Sequence, residues 1–194
     1  MDYEPDVNRP STIIWILAIN GRRYSKPIPN HIGPAHDAEL NMPNPAIPAQ
    51  NPASPLASLK GHHVAVRVPD FQASLKWYVE KLDFRVVFQW PYADQTLAYV
   101  APATDDSFFV EILGGGEPKP IPKSVYEDLG DSLRLAGFHH FCLNVDDMDA
   151  TIAELRSRGV TIVTEPFELD IIGRRLAFIA DPWGNLIELA QVIG

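Results

Sequence analysis

Two stretches of this chain repeat one pattern 77 residues apart: GHHVAVRVPD at 61–70 and GFHHFCLNVDD at 137–147. His63 maps onto His140 and Asp70 onto Asp147, and Phe71, Leu75 and Tyr78 map onto Met148, Ile152 and Leu155. Few side chains are identical, but cap, helix face and strand agree. An internal repeat of this kind implies two copies of one supersecondary unit. In the first copy HHVAVRV alternates, setting His63, Ala65 and Arg67 on one face and Val64, Val66 and Val68 on the other. Asp70 is placed to cap a helix, and FRVVFQW, TLAYVA and SFFVEIL read as three strands. In the second, HHFCLNV is a strand, Asp147 caps a helix that stops at Gly159, and VTIVTEPF, RRLAFIA and NLIELAQ follow as strands. The DPWG segment between the last two suits a type I turn. The expected class is α+β, with βαβββ modules at about 59–115 and 137–194 forming one domain, 58–194. The GGGEPKPIP segment reads as a flexible bridge, with a short helix expected near 124–135.

Residues 1–57 differ in character. Proline recurs every few residues from Lys26 to Pro55, so neither helix nor central strand persists, and an extended N-terminal arm is expected. Upstream of it, Asn20-Gly21 suits a two-residue hairpin turn. The chain carries 25 Asp and Glu against 16 Lys and Arg, a net charge of −9, which argues against binding nucleic acid. Its longest apolar run, IIWILAI, is far too short to span a bilayer, and the acidic residues before it do not suit a secretion signal. A single cysteine, Cys142, excludes an internal disulfide and fits a reducing, cytoplasmic setting.

The repeat continues into chemistry. Glu111 and Glu188 each stand in an otherwise apolar strand, and each follows its histidine by 48 residues. A lone carboxylate in an apolar strand is costly to desolvate, and two of them matched to two strand histidines point to a shared cation. Imidazole and carboxylate together suit one divalent ion: Ni, Zn, Co, Mn or Fe. The metal candidates are therefore His63, Glu111, His140 and Glu188. Either glutamate is placed to act as the catalytic base. His62 and His139 are expected on the opposite strand face in structural roles, and Cys142 as cavity lining. Arg67, Phe109 and Asn144 are the substrate-binding candidates. Arg67 either meets an anionic group or makes a surface ion pair. Trp90, Tyr99 and Phe109 either line a pocket or belong to the core.

HHVAVRVPDFQASLKWYVEKLDFRVV and AFIADPWGNLIELAQ resemble the vicinal oxygen chelate superfamily, which includes glyoxalase I, bleomycin-resistance proteins, methylmalonyl-CoA epimerase and type I extradiol dioxygenases. The likeness covers about residues 59–192, and the DPxGNxIEL motif at 181–189 carries much of it. It implies paired βαβββ modules curling into a U-shaped mixed sheet, with the glyoxalase-type metal ligands falling on His63, Glu111, His140 and Glu188. It also implies a small-molecule substrate and a homodimer. Gly115 stands where glyoxalase I proteins usually carry a glutathione-contacting asparagine, a departure from the glutathione-dependent pattern. The expected function is a divalent-metal-dependent, glyoxalase-like lyase or isomerase, acting on an oxygen-chelating substrate through an enediolate-type intermediate. Two alternatives are an Fe(II)-dependent ring-cleaving dioxygenase using His63, His140 and Glu188, and a metal-free small-molecule or drug-binding protein.

Overall fold

The computed structural model describes residues 18–19, 22–23, 48–119 and 126–193. Near the N-terminus, β1 (Ala18–Ile19) pairs antiparallel with β2 (Arg22–Arg23), flanking Asn20-Gly21 as the turn signal implied. The rest of the expected arm before residue 48 lies outside the described residues.

Each module is a strand, a helix and three strands. The first comprises β3 (His63–Arg67), α1 (Phe71–Leu82), β4 (Arg85–Tyr92), β5 (Gln95–Ala101) and β6 (Phe109–Gly115). A four-residue helix, α2 (Leu129–Ser132), precedes the second, which comprises β7 (His140–Asn144), α3 (Met148–Ser157), β8 (Thr161–Leu169), β9 (Arg174–Ala180) and β10 (Leu186–Val192). The helix expected near 124–135 is thus much shorter. Asp128 caps it, and residues 120–125 lie outside the described set.

The tandem βαβββ architecture is the one the repeat required. It is built as two four-stranded mixed sheets, β3-β6-β5-β4 and β7-β10-β9-β8, with β3 and β7 as edge strands. The duplication extends to pairing. Strand β3 runs parallel to β6 with His63 opposite Phe109 and Ala65 opposite Glu111. Strand β7 runs parallel to β10 with His140 opposite Leu186 and Cys142 opposite Glu188. Both main helices begin alike: Asp70 accepts from the Ala73 amide and Asp147 from the Ala150 amide, each at 2.9 Å.

One apolar core joins the two modules. Val66, Phe71, Tyr78 and Ile112 of the first share it with Phe141, Met148, Ile152 and Ile187 of the second. Burying such a side chain completely contributes about 1.5–3 kcal/mol. Polar contacts reinforce the seam. The Trp183 indole donates to Ser74 Oγ, and Lys81 Nζ to the Arg158 carbonyl. Arg158 reaches back to Asp83 at 2.8 Å while holding Glu154 of its own helix at 2.7 Å. The DPWG turn forms as expected, with Gly184 N–H on the Asp181 carbonyl at 3.0 Å. The buried Asp181 carboxylate accepts from the Trp183 and Asn185 amides and from Asn185 Nδ2, which fixes the entry to β10.

The triple glycine is more than a bridge, since Gly114 and Gly115 complete β6. A Cβ on Gly114 would lie 2.3 Å from Phe71 Cβ and 2.9 Å from its Cα, so hydrogen alone lets α1 approach the sheet this closely. Gly114→Ala is expected to destabilise the fold by about 1–3 kcal/mol, through displacement of the helix start. In a chain of this size that lowers the midpoint by roughly 2–4 °C per kcal/mol, measurable by thermal unfolding.

Candidate metal centre

With Val66, Val68, Val110 and Ile112 turned into the core, alternation leaves His63, Ala65, Arg67, Phe109 and Glu111 on the opposite, open face of the first sheet. His63 Nε2 lies 3.3 Å from Glu111 Oε2, the carboxylate largely covered and the imidazole a third exposed. The second sheet repeats this, with His140 Nε2 3.0 Å from Glu188 Oε2. Two neighbouring ligands on one metal, each about 2.1 Å from it, stand about 3.0–3.4 Å apart in octahedral or tetrahedral geometry. Each separation is that of a histidine–carboxylate hydrogen bond or ion pair, and the same two atoms have the donor chemistry and spacing that half a metal site requires.

The structure brings the four candidates together as two pairs, on two sheets. Among the described residues no three His, Cys, Asp or Glu side chains converge to hold one ion.

His62 and His139 depart from the sequence reading. They precede the first paired residue of their strands, so the pleat does not turn them to the opposite face. His62 Nδ1 meets His63 Nδ1 at 2.8 Å, and its ring packs against Tyr99 and Phe109. His139 Nδ1 meets His140 Nδ1 at 2.7 Å, and its Nε2 lies 2.9 Å from the buried Ser132 Oγ. Burial first, then neighbouring His140, hold His139 below the ordinary histidine value against the opposing pull of Glu188. No sequence signal marked Ser132, which belongs to neither repeat.

The substrate candidates occupy three different settings. Arg67 donates to the backbone carbonyls of Val68 and Leu113, each at 2.9 Å, and to that of Gly115, so its guanidinium is engaged within its own sheet. Asn144 is exposed and lines a cavity of about 800 Å³ at the seam between modules, with Asp83, Phe108, Cys142 and Glu154. Phe109 faces the first pair. Trp90, Tyr99 and Phe109 are only half-buried and stand apart from the apolar core. Together with Phe88, which is 60% exposed, they make a row of rings beside His63: Phe88 stacks on Trp90 at 5.4 Å, Trp90 meets Tyr99 at 4.8 Å, and Tyr99 meets His63 at 5.2 Å. Phe88 and Phe178, the latter edge-on to His140 at 5.3 Å, were not marked by the sequence pattern as site residues.

The superfamily profile described as Glyoxalase/Bleomycin resistance protein/Dioxygenase matches residues 60–189, both modules and both pairs. The chain belongs to that superfamily. It is 23% identical to human mitochondrial methylmalonyl-CoA epimerase over 164 residues, 79% of this chain and 90% of that protein. It is 30% identical to a probable lactoylglutathione lyase of Synechocystis over 133 residues, 66% of this chain and 92% of the relative. Among solved structures, SMU.1112c superposes with a TM-score of 0.57 at 24% identity over 69% of this chain and 99% of its own. TnmS3, an antibiotic-binding protein from Streptomyces sp. CB03234, gives 0.53 at 26% identity over 69% of this chain and 96% of its own. Among the described residues no helix is long and apolar enough to cross a membrane.

Cys142 gives a chemical test of the second pair. The residue is exposed, but burial of its thiol, then the adjacent Glu188 carboxylate, push the thiol up to about 12. Only the thiolate attacks alkylating agents, so protonation outweighs exposure. At pH 8 the thiolate fraction falls about 10³-fold below that of an ordinary cysteine. Iodoacetamide is expected to modify Cys142 correspondingly slowly, and Glu188→Gln to speed the reaction, as followed by intact-mass measurement.

Proposed function

We propose that this protein is a divalent-metal-dependent isomerase or lyase acting on a small cytoplasmic substrate that presents two neighbouring oxygens. The observation that carries the proposal is the duplicated imidazole–carboxylate pair at ligand spacing. Each pair supplies one nitrogen and one oxygen donor and leaves an open face. A second copy of the chain completes the set, so that His63 and Glu111 of one protomer face the other copy's His140–Glu188 pair. The relatives' names, an epimerase and a lactoylglutathione lyase, belong to the same broad chemistry.

When bound, a divalent ion acts as a Lewis acid toward paired substrate oxygens and makes the adjoining C–H more acidic. One glutamate, Glu111 or Glu188, takes that proton as the C–H bond breaks and its electrons move into a carbon–carbon double bond. As that bond forms, the adjoining carbonyl pair moves onto its oxygen; the same carboxyl then returns the proton to the neighbouring carbon while the hydroxyl on the first carbon passes its proton to that oxygen, so the step is redox-neutral overall. His63 and His140 fix the site. The ring row Phe88–Trp90–Tyr99 shelters a flat apolar portion of the substrate and keeps water from the proton. With Arg67 engaged on backbone carbonyls, that row offers a neutral substrate more than it offers an anion.

The exposed ring row also favours a second reading, a binding protein of the kind TnmS3's description names. Elemental analysis separates the two. The enzyme reading expects one divalent ion per chain and loss of activity with a chelator, in a screen of hemithioacetals, acyl-CoA esters and catechols. Absence of stoichiometric metal, with ligand capture unaffected by chelator, supports the binder. Oxygen consumption with catechols supports the dioxygenase instead.

Glu111→Gln and Glu188→Gln are each expected to abolish turnover. Mixed dimers of the two then hold one intact site in two, so co-refolding restores about a quarter of wild-type activity when sites span the two-fold axis. No restoration on mixing places all ligands in one chain and removes the shared site.

A further inference from the structure

Each candidate ligand histidine is preceded by a second histidine, and the two rings meet through their Nδ1 atoms, at 2.8 Å for His62–His63 and 2.7 Å for His139–His140. Two nitrogens that close share one proton. Two lone pairs, or two N–H groups, facing each other there repel. A neutral ligand imidazole that offers Nε2 to a metal keeps its proton on Nδ1. His139 Nδ1 is then the acceptor, which leaves its own proton on Nε2, 2.9 Å from Ser132 Oγ. Ser132 is suited to receive it, because its hydroxyl donates to the Leu129 carbonyl at 2.6 Å and the oxygen is free to accept. Ser132 is 2% exposed, so water does not compete for the contact.

We propose that His139 and His62 are positioning residues for the metal ligands, and that the relay Ser132–His139–His140 selects the tautomer of His140 that points a lone pair at the ion beside Glu188. The inference rests on the metal reading above. It explains why histidine is doubled in both repeats: one ring ligates, and its neighbour takes the role that a carboxylate or carbonyl usually has behind a metal-bound imidazole. The relay is unequal in the two halves. Among the described residues a hydroxyl contact behind the pair is seen at His139 alone, through Ser132, while the His62 ring packs on Tyr99 and Phe109.

The test uses the full chain and Zn²⁺. Affinity is read by competition with a chromophoric chelator, and ring protonation by ¹⁵N chemical shifts of the histidines in the zinc-loaded protein. His139→Leu removes the acceptor and is expected to weaken zinc binding about 10–100-fold. His139→Asn, whose Oδ1 occupies the place of Nδ1, is expected to retain most of the affinity. In zinc-loaded wild type, His139 is expected to carry its proton on Nε2 and His140 on Nδ1. Ser132→Ala is expected to lower affinity by less than His139→Leu and to shift the His139 signals without moving those of His62. Zinc binding by His139→Leu within twofold of wild type overturns the relay, as does a His139 protonated on Nδ1 in the zinc-loaded state. Circular dichroism of each variant distinguishes a misfolded protein from a folded one with a weakened site. Failure of the wild type itself to bind zinc, or any of Ni²⁺, Co²⁺, Mn²⁺ and Fe²⁺, counts against the metal reading.

Discussion

A β-sheet has two faces, and in each module one of them is consumed by the core that both modules share. Val66, Ile112, Phe141 and Ile187 are turned inward by strand alternation, and α1 and α3 bring Tyr78, Met148 and Ile152 to meet them. That packing decides where chemistry can occur. Polar side chains on the alternate positions are driven to the open faces, where imidazole and carboxylate can stay partly hydrated yet close together. Gly114 shows how tight the constraint is, because the helix that closes the core passes within touching distance of the strand carrying Glu111.

The duplication provides an internal comparison of what the site tolerates. Across the two sheets the rows beside the glutamates correspond: Ala65, Glu111, Tyr99 and Phe88 in the first, Cys142, Glu188, Phe178 and Thr164 in the second. The doubled histidine and the glutamate are held in both. A ring is kept beside each glutamate, Tyr99 and Phe178, while the outer positions diverge, to Ala65 and the exposed Phe88 in one half and to a thiol and a hydroxyl in the other. Divergence beside a constant pair is what a site needs if two equivalent halves grip one ion while their surroundings read the two ends of an unsymmetrical substrate. Phe88 and Thr164 are therefore the positions at which the halves differ most in what they offer an apolar group.

Much of this was legible in the sequence because its causes are local. Alternation places His63, Ala65 and Arg67 together, Asp70 and Asp147 cap their helices as written, and the 48-residue spacing from histidine to glutamate becomes the same strand pairing in both sheets. What was not legible depends on contacts between distant segments, or on where a strand begins. His62 and His139 were expected on the far face because alternation was extended one residue too far, past the point at which ladder hydrogen bonds impose it. Ser132 lies in a single helical turn between modules, with no periodicity to mark it, and meets His139 only through the fold. Arg67 reads either as an anion-binding group or as half of a surface ion pair, and its hydrogen bonds to the Val68 and Leu113 carbonyls arise from the fold and could not be read from the sequence.

The separation of the four candidate ligands into two pairs carries a thermodynamic consequence under the proposed two-chain site. An ion gripped by both protomers binds the dimer and not the monomer, so metal affinity and subunit association become one linked equilibrium. Free ion then favours the dimer, and dilution of the protein releases ion. The exposed rings bear on the same equilibrium from the other side. Phe88, 60% exposed and stacked on the half-buried Trp90, is costly to leave in water on an isolated chain, so covering it against a partner or a substrate adds apolar stabilisation to a contact whose specificity, on this proposal, comes from the metal donors. On the proposed metal reading, two candidate ligands on each sheet make an incomplete half-site alone, and the open faces are where a second copy would complete it.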